Sequence, residues 1–430
     1  MSNATKTVKV DYIARVEGEG GLDIRVSGGQ IQDLRLNIFE PPRFFQGFLI
    51  GRSFDEVPDL VSRICGICPV SHQLASINAL EDALGFVPDK GLKDLRKLFA
   101  LSQWIQSHAL HIFFLAAPDF LGYESVIAMA AEYPDVVKRA LKLKRLGNDI
   151  TAHIGGREVH PVTAKVGGFT KVPDKDTMQE FRKRLEEAKE DAVATVEFAA
   201  SLPIPQFERK CEHVALSQRD EYAVIGGRIK STEGLDIDVH EYRDYIKEKQ
   251  VPHSTTLHSY IVGRDSFMVG PLPRVNINFD KLSPDAQEAA RKTGIPFPNF
   301  NPYNSIVARA IELVHAIDES IWIIDRLDYA DRTPNPPVRS GKGAGRTEAP
   351  RGFLYHSYEL DDEGLVRFAD IVAPTSHNLY NIEKDLWELV PQILDLSEEE
   401  ATLRCEMMVR NYDPCISCSC HFLKLRIHRD

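Results

Sequence analysis

The chain has 430 residues, 43% of them hydrophobic and 27% charged, with 52 basic against 63 acidic side chains and a formal net charge of −11. This composition excludes a peptide, a collagen-like chain and a disordered acidic tail, and the acidic surplus argues against a large nucleic-acid footprint. No stretch approaches the roughly 18 consecutive apolar residues of a membrane helix, and the start MSNATKTVKV lacks the basic-then-apolar run of a secretory signal, so a soluble cytoplasmic protein is expected.

From Val8 to Asn37, short alternating stretches around Ser27-Gly28-Gly29 predict a small antiparallel sheet. Pro58 opens a helix expected to run through Asp59 to Cys68. From Ser71, the residues Leu74, Ile77, Leu80, Ala83 and Leu84 share one helical face ahead of Gly85. Two long helices are predicted over 93–116 and 122–146, with a break at Pro118-Asp119, and another over 175–199. Residues 155–168 are a glycine-rich loop region, and 202–301 read as mixed short strands and loops. A helix follows over 305–327, then a break from Thr333 to Gly345, a hairpin turning at Asp361–Gly364, and helices over 378–394 and 397–409. The expected fold is α+β and predominantly helical, with a central long-helix bundle and small peripheral antiparallel sheets. Its expected organisation is an N-terminal β-rich segment (1–60), a helical core with the first cysteine pair (61–200), a mixed region (201–302) and a C-terminal region with the second pair (303–430), within one multi-layer unit.

The seven cysteines stand at 65, 68, 211, 405, 415, 418 and 420. Cys65 with Cys68, and Cys415 with Cys418, have the spacing that lets two thiolates bind one metal or flank one cluster. The pairs lie 347 positions apart, so they act together only if folding joins them. Thiolates select soft or borderline metals such as zinc, iron and nickel. Spacing alone leaves open buried apolar thiols, a structural zinc or iron–sulfur site, and a redox dithiol.

Context narrows these alternatives. The segments Arg63-Ile64-Cys65-Gly66-Ile67-Cys68-Pro69-Val70-Ser71-His72 and Asp413-Pro414-Cys415-Ile416-Ser417-Cys418-Ser419-Cys420-His421 together resemble the two signature segments of nickel–iron hydrogenase large subunits. Arg15-Val16-Glu17-Gly18, Gly156-Arg157 with His160-Pro161, Ala308-Arg309-Ala310-Ile311-Glu312, Glu348-Ala349-Pro350-Arg351-Gly352, and Pro374-Thr375 with Asn378 reinforce the resemblance in the family's order. Pro42-Arg43-Phe44-Phe45 and Ser417-Cys418-Ser419 look most like the cytoplasmic, multisubunit branch.

The resemblance implies the hydrogenase large-subunit fold and reversible heterolytic cleavage of H2 at a nickel–iron centre whose iron carries one CO and two cyanides. It implies that Cys65, Cys68, Cys415 and Cys418 are the ligands, with Cys68 and Cys418 bridging to iron. Cys415 would be the first proton acceptor, Glu17 the proton relay, and Arg351 the cation over the open metal position, paired with Asp413. Pro350 would line the pocket, Thr375 would donate to a cyanide, and His72 would donate to a bridging sulfur. A second, magnesium-like ion is implied near His421, but Gln46 stands where the family's carboxylate completes its shell, and a neutral amide weakens the site for a hard cation. Ser107 and Glu19 also depart from residues common in the family, an aspartate and a histidine.

Cys211, Cys405 and Cys420 are too few for an iron–sulfur cluster. Electrons are therefore expected to leave through another polypeptide, which the resemblance implies is an iron–sulfur small subunit, with flavin and nicotinamide in further diaphorase subunits; H2 and protons are the small partners, and no nucleic acid or membrane span is expected. The residues after His421 read either as a retained tail or as a mature end after removal of an extension. The alternative function is a non-catalytic hydrogenase-like or zinc-binding structural subunit of a redox complex; the presence of both cysteine pairs argues against a quinone-side relative.

Overall fold

The computed structural model of the chain describes residues 6–330 and 336–420. The alternating N-terminal stretches form the expected antiparallel sheet, with Gly20–Ser27 between Lys6–Val10 and Gln30–Ile38. Leu22, Ile24 and Val26 are all buried because residues two apart on a strand share a face. The centre is a bundle of long helices. Lys90–Ala109 begins at Asp89, whose side chain accepts the Leu92 amide at 2.8 Å and so satisfies one free N–H of the first turn. This helix packs on both Pro134–Gly155 and Ser305–Arg326, and the last packs in turn on Lys175–Ser201. The fold is thus α+β and predominantly helical, with small sheets around the bundle.

Several boundaries differ from the sequence expectation, each for a local reason. The helix expected to reach Cys68 covers only Val57–Ser62; a new one starts at Pro69, whose fixed φ suits a first helical position, so the intervening Cys65–Cys68 segment is a turn. Pro118 does not break the long helix. It sits in the first turn of Ala117–Leu121, where its missing N–H costs nothing, after a π-helical stretch over Leu110–Ala116. The helix expected from Gly122 starts at Pro134. In the mixed region, Phe267–Met268 pairs parallel with Glu212–Ser217, a pairing no local pattern announces.

The stretch read as a break ends in a strand, Gly341–Ala349, which pairs antiparallel with Gly352–Leu360 and then Val366–Val372. Its alternate glycines lie directly on the helix Pro69–Leu84. A Cβ on Gly345 would overlap the Ala75 carbonyl oxygen, and one on Gly343 the Ala79 carbonyl oxygen. The alternate glycines on the strand and the alanines Ala75, Ala79 and Ala83 on the helix permit this backbone contact, which runs antiparallel, so that Cys68 just before the helix and Arg351 just after the strand lie at the same end. Gly345→Val is expected to lower stability by about 1–3 kcal/mol through overpacking, read as a lower thermal midpoint; an unchanged midpoint would show that the layers can part freely.

Candidate metal centre

Four thiols meet where two distant turns converge. Cys68 immediately precedes the helix Pro69–Leu84, and Cys415 precedes the short helix Ile416–Ser419, which carries Cys418. All four cysteines are free and buried, and their sulfurs lie within 4.8 Å of one another. The Sγ–Sγ separations are 3.2 Å for Cys65–Cys415, 3.2 Å for Cys68–Cys418 and 2.8 Å for Cys415–Cys418. The Ile67 amide donates to Cys65 Sγ at 3.2 Å. Hydrogen bonds from Cys415, Cys418 and Cys68 hold the Cys65 thiol well below its ordinary range, whereas burial holds Cys415 and Cys418 well above theirs. A thiolate wrapped by neighbouring thiols fits a soft cation, which displaces the shared protons and takes all four sulfurs as donors.

Arg43 joins the two turns. Its guanidinium donates to the carbonyls of Ile64 and Ser417, and its own amide donates to the Cys420 carbonyl at 2.7 Å. The sequence marks Arg43 only as part of a branch-like segment; its clamp role depends on contacts across the fold.

The Arg15–Gly18 segment is drawn against the second pair. Arg15 pairs with Asp119, which also accepts Arg410 Nε at 2.6 Å. The Ile416 amide donates to the Glu17 carbonyl at 2.9 Å. Glu17 Oε2 accepts from Cys415 Sγ at 3.1 Å and from the Ser417 amide at 3.0 Å. Burial, and then the negative charge of Cys65, raise the Glu17 carboxyl above its ordinary range despite those two hydrogen bonds. Gly18 has φ of 92°, and a Cβ there would stand 2.6 Å from Ile416 Cβ, so glycine is needed on both counts. Ser417 Oγ donates to Glu40 Oε1 at 2.6 Å, placing a second carboxylate on this side of the centre. Nothing in its sequence spacing distinguishes Glu40.

Arg351 sits in the turn between Gly341–Ala349 and Gly352–Leu360. Its Nε donates to the Asp413 carbonyl at 2.8 Å and its Nη2 to Asp413 Oδ1 at 2.9 Å. Arg309 Nη1 approaches the other Asp413 oxygen at 3.3 Å. Burial opposes ionisation of Asp413, but the charges of Arg351 and Arg309 outweigh it and hold the carboxyl below its ordinary range. Arg351 Nη1 is buried and has no hydrogen-bond partner among the described residues, while the guanidinium charge is felt by Cys415, Cys68 and Cys65. A buried donor left open beside four sulfurs fits an acceptor atom carried by a bound centre.

Thr375, near the start of Pro374–Leu389, accepts the Cys415 amide on Oγ1 at 2.8 Å. The Pro350 carbonyl accepts from Arg309 Nη1 at 3.2 Å and Arg274 Nη2 at 3.1 Å. His72 Nδ1 faces His356 Nε2 at 3.1 Å, and its buried Nε2 has no hydrogen-bond partner among the described residues. Gln46 Nε2 donates to the Ile371 carbonyl at 3.3 Å, and His421 lies outside the described residues. Behind the arginines is a buried charged frame. Arg274 pairs with Glu312 at 2.6 Å and Glu348 at 3.1 Å, and Glu312 also accepts from Tyr222 Oη at 2.7 Å and His108 Nε2 at 2.9 Å.

The family profile described as nickel-dependent hydrogenase matches residues 43–137 and 266–421, which include all four of these cysteines. The chain belongs to the nickel-dependent hydrogenase family. This hydrogenase chain is 37% identical to sulfhydrogenase 1 subunit alpha of Pyrococcus furiosus, over 99% of its own length and 100% of that protein. It is 27% identical to the NAD-reducing hydrogenase HoxS subunit beta of Cupriavidus necator, covering 97% and 95% of the two chains. Among solved structures, an NAD+-reducing [NiFe]-hydrogenase in its H2-reduced state superposes with a TM-score of 0.86 at 29% identity, covering 97% of this chain and 100% of that one. The Ni-Fe-Se hydrogenase of Desulfovibrio vulgaris Hildenborough shares the fold, with a TM-score of 0.81 at 23% identity over 97% of this chain and 100% of that one. The hydrogenase is therefore a large, catalytic type of subunit, and its buried four-cysteine cluster is a nickel–iron-type site. Among the described residues no helix is long and apolar enough to cross a membrane.

Proposed function

We propose that this chain cleaves H2 reversibly and heterolytically, each H2 giving two protons and two electrons, at a nickel–iron centre held by Cys65, Cys68, Cys415 and Cys418. The supporting observation is a carboxyl of raised proton affinity, Glu17, hydrogen-bonded at 3.1 Å to one sulfur of a buried four-sulfur cluster. When bound, a nickel–iron centre carrying one CO and two cyanides would be held by these four cysteines and would supply Lewis acidity and the capacity to take up electrons. The Cys415 sulfur takes the first proton, and Glu17 Oε2 receives it across the existing contact. A carboxyl of raised proton affinity is better suited to take up that proton and pass it on. Burial keeps bulk water from the sulfurs and strengthens the Arg351 charge, which polarises H2 or holds a cyanide nitrogen through Nη1. Asp413 fixes the direction of that guanidinium. Thr375, having accepted the Cys415 amide, keeps its hydroxyl proton for the other cyanide, and the Pro350 ring lines the pocket. Burial pushes His72 down to about 4, leaving a neutral ring that can offer one N–H to a bridging sulfur. A magnesium-like ion near His421 would have only the Gln46 amide oxygen, not a carboxylate, from that position.

Electrons pass to an iron–sulfur partner subunit and onward, through flavin-bearing diaphorase subunits, to NAD(P) or another soluble carrier in the cytoplasm. The relatives named as sulfhydrogenase and NAD-reducing hydrogenase support this direction. The purified complex is expected to catalyse H2/D2 exchange and to reduce NAD or NADP with H2; exchange without either reduction would move the acceptor to a deazaflavin or ferredoxin, and absence of exchange from a fully metallated complex would overturn the reading.

A further inference from the structure

Outside the cysteine centre, one other cluster among the described residues has metal-ligating chemistry. His253 lies in the loop between the paired strands Ile246–Lys249 and His258–Ile261, His258 opens the second strand, and Glu383 projects from the helix Pro374–Leu389. One ligand atom from each lies within 4.8 Å of the other two. His253 Nε2 donates to Glu383 Oε1 at 2.7 Å, and His258 Nδ1 faces Glu383 Oε2 at 3.7 Å. His258 is fully buried, yet neither of its ring nitrogens has a hydrogen-bond partner among the described residues. A buried imidazole without partners on either nitrogen is costly, and a cation bound to one nitrogen removes part of that cost.

We propose that His253, His258 and Glu383 form a second metal site, for a zinc-like divalent ion, that ties the Ile246–Ile261 hairpin to the Pro374–Leu389 helix. Two imidazoles and one carboxylate are the donor set of borderline transition ions, and a single carboxylate is too little for magnesium or calcium. Tetrahedral zinc needs donors roughly 3.3 Å apart, a spacing bracketed by the observed 2.7 and 3.7 Å. The ion takes the place of the hydrogen between His253 Nε2 and Glu383 Oε1, and the neutral His253 ring then carries its single N–H on Nδ1.

The surroundings hold the donors in place. The Ile38 amide donates to the His253 carbonyl at 3.2 Å, the Thr255 amide donates to the Ile38 carbonyl at 2.8 Å, and the Leu36 amide donates to Glu383 Oε1 at 3.1 Å. The loop has a further contact with the catalytic end of the chain, because Thr256 Oγ1 lies 3.1 Å from Cys420 Sγ. An ion here therefore clamps the wall on which the second cysteine motif rests. It shares no residue with the nickel–iron ligands or with Gln46 and His421.

The test uses the purified hydrogenase complex, stripped of loosely held ions by a chelator that leaves nickel and iron in place, then titrated with Zn2+. One zinc per large subunit is expected to rebind, with X-ray absorption at the zinc edge showing an imidazole-containing nitrogen and oxygen shell at about 2.0–2.1 Å. His258→Ala and Glu383→Gln should each weaken that binding by about 100-fold or more, since loss of a ligand exceeds the usual cost of losing a ligand's supporting contact. The absorption spectrum needs no variant, so a misfolded mutant does not remove the test. A sulfur shell, no zinc uptake by the unaltered complex, or unchanged affinity in folded His258→Ala would overturn the proposal.

Discussion

Glu17→Gln is expected to leave nickel and iron in place and to slow H2/D2 exchange by about 10²–10⁴-fold, the usual worth of a positioned proton-transfer group. The substitution preserves size, and the glutamine oxygen can still accept the Ser417 amide now held at 3.0 Å. What it removes is the ability to carry a proton away from Cys415, whose sulfur is 3.1 Å from the carboxylate. Metal analysis separates this effect from loss of the centre, because Glu17 is outside the four-sulfur set. Exchange at the unaltered rate would take Glu17 out of the proton route and turn attention to Glu40, which reaches the same motif through Ser417 Oγ.

Arg274→Met should destabilise the protein by about 3–5 kcal/mol, the cost of leaving buried charges without their partner. Arg274 and its two carboxylates are completely buried. Burial raises Glu348 to about 7 even with Arg274 present, whereas in Glu312 the arginine charge and hydrogen bonds outweigh burial and bring the carboxyl to about 2. Without the guanidinium, Glu312 must either stay charged in a dry interior or take up a proton. Arg274 also donates to the carbonyls of Ala349 and Pro350, the residues just before Arg351. The loss should therefore appear twice, as a lower unfolding midpoint and as reduced turnover in protein that remains folded. Replacing Arg274, Glu312 and Glu348 together by apolar residues should cost less stability than the single change, because no charge is stranded; a larger loss in the triple variant would contradict this account.

Much of the centre is legible in the sequence because its chemistry sits in short, ordered segments. Cys65 and Cys68, Glu17, Arg351 and Cys415 can each be found from neighbours within a few positions. Their meeting cannot: it depends on a sheet whose glycines rest on helix backbone and on Arg43 joining carbonyls of Ile64 and Ser417. Helical periodicity located the long bundle helices, but proline misled at two ends. Pro118 begins a helical turn and Pro134 begins a long helix, since proline is disfavoured inside a helix and tolerated at its start. The strand Gly341–Ala349 was hidden because glycine and lysine have weak strand preference, and what holds it is contact with the Pro69–Leu84 helix. Arg309, Glu312 and Glu348 lie within recognisable segments, yet their joint role as a buried charged frame follows only from the packing of Ser305–Arg326 against Pro271–Asn278.

The most direct measurement is nickel and iron analysis of the purified complex together with its infrared spectrum. Nickel and iron in equal amounts attributable to this subunit, with bands from one CO and two cyanides that vanish in Cys418→Ser, are the expected result. Zinc alone in the four-cysteine site, with no such bands, would contradict the assignment of that site to H2 cleavage.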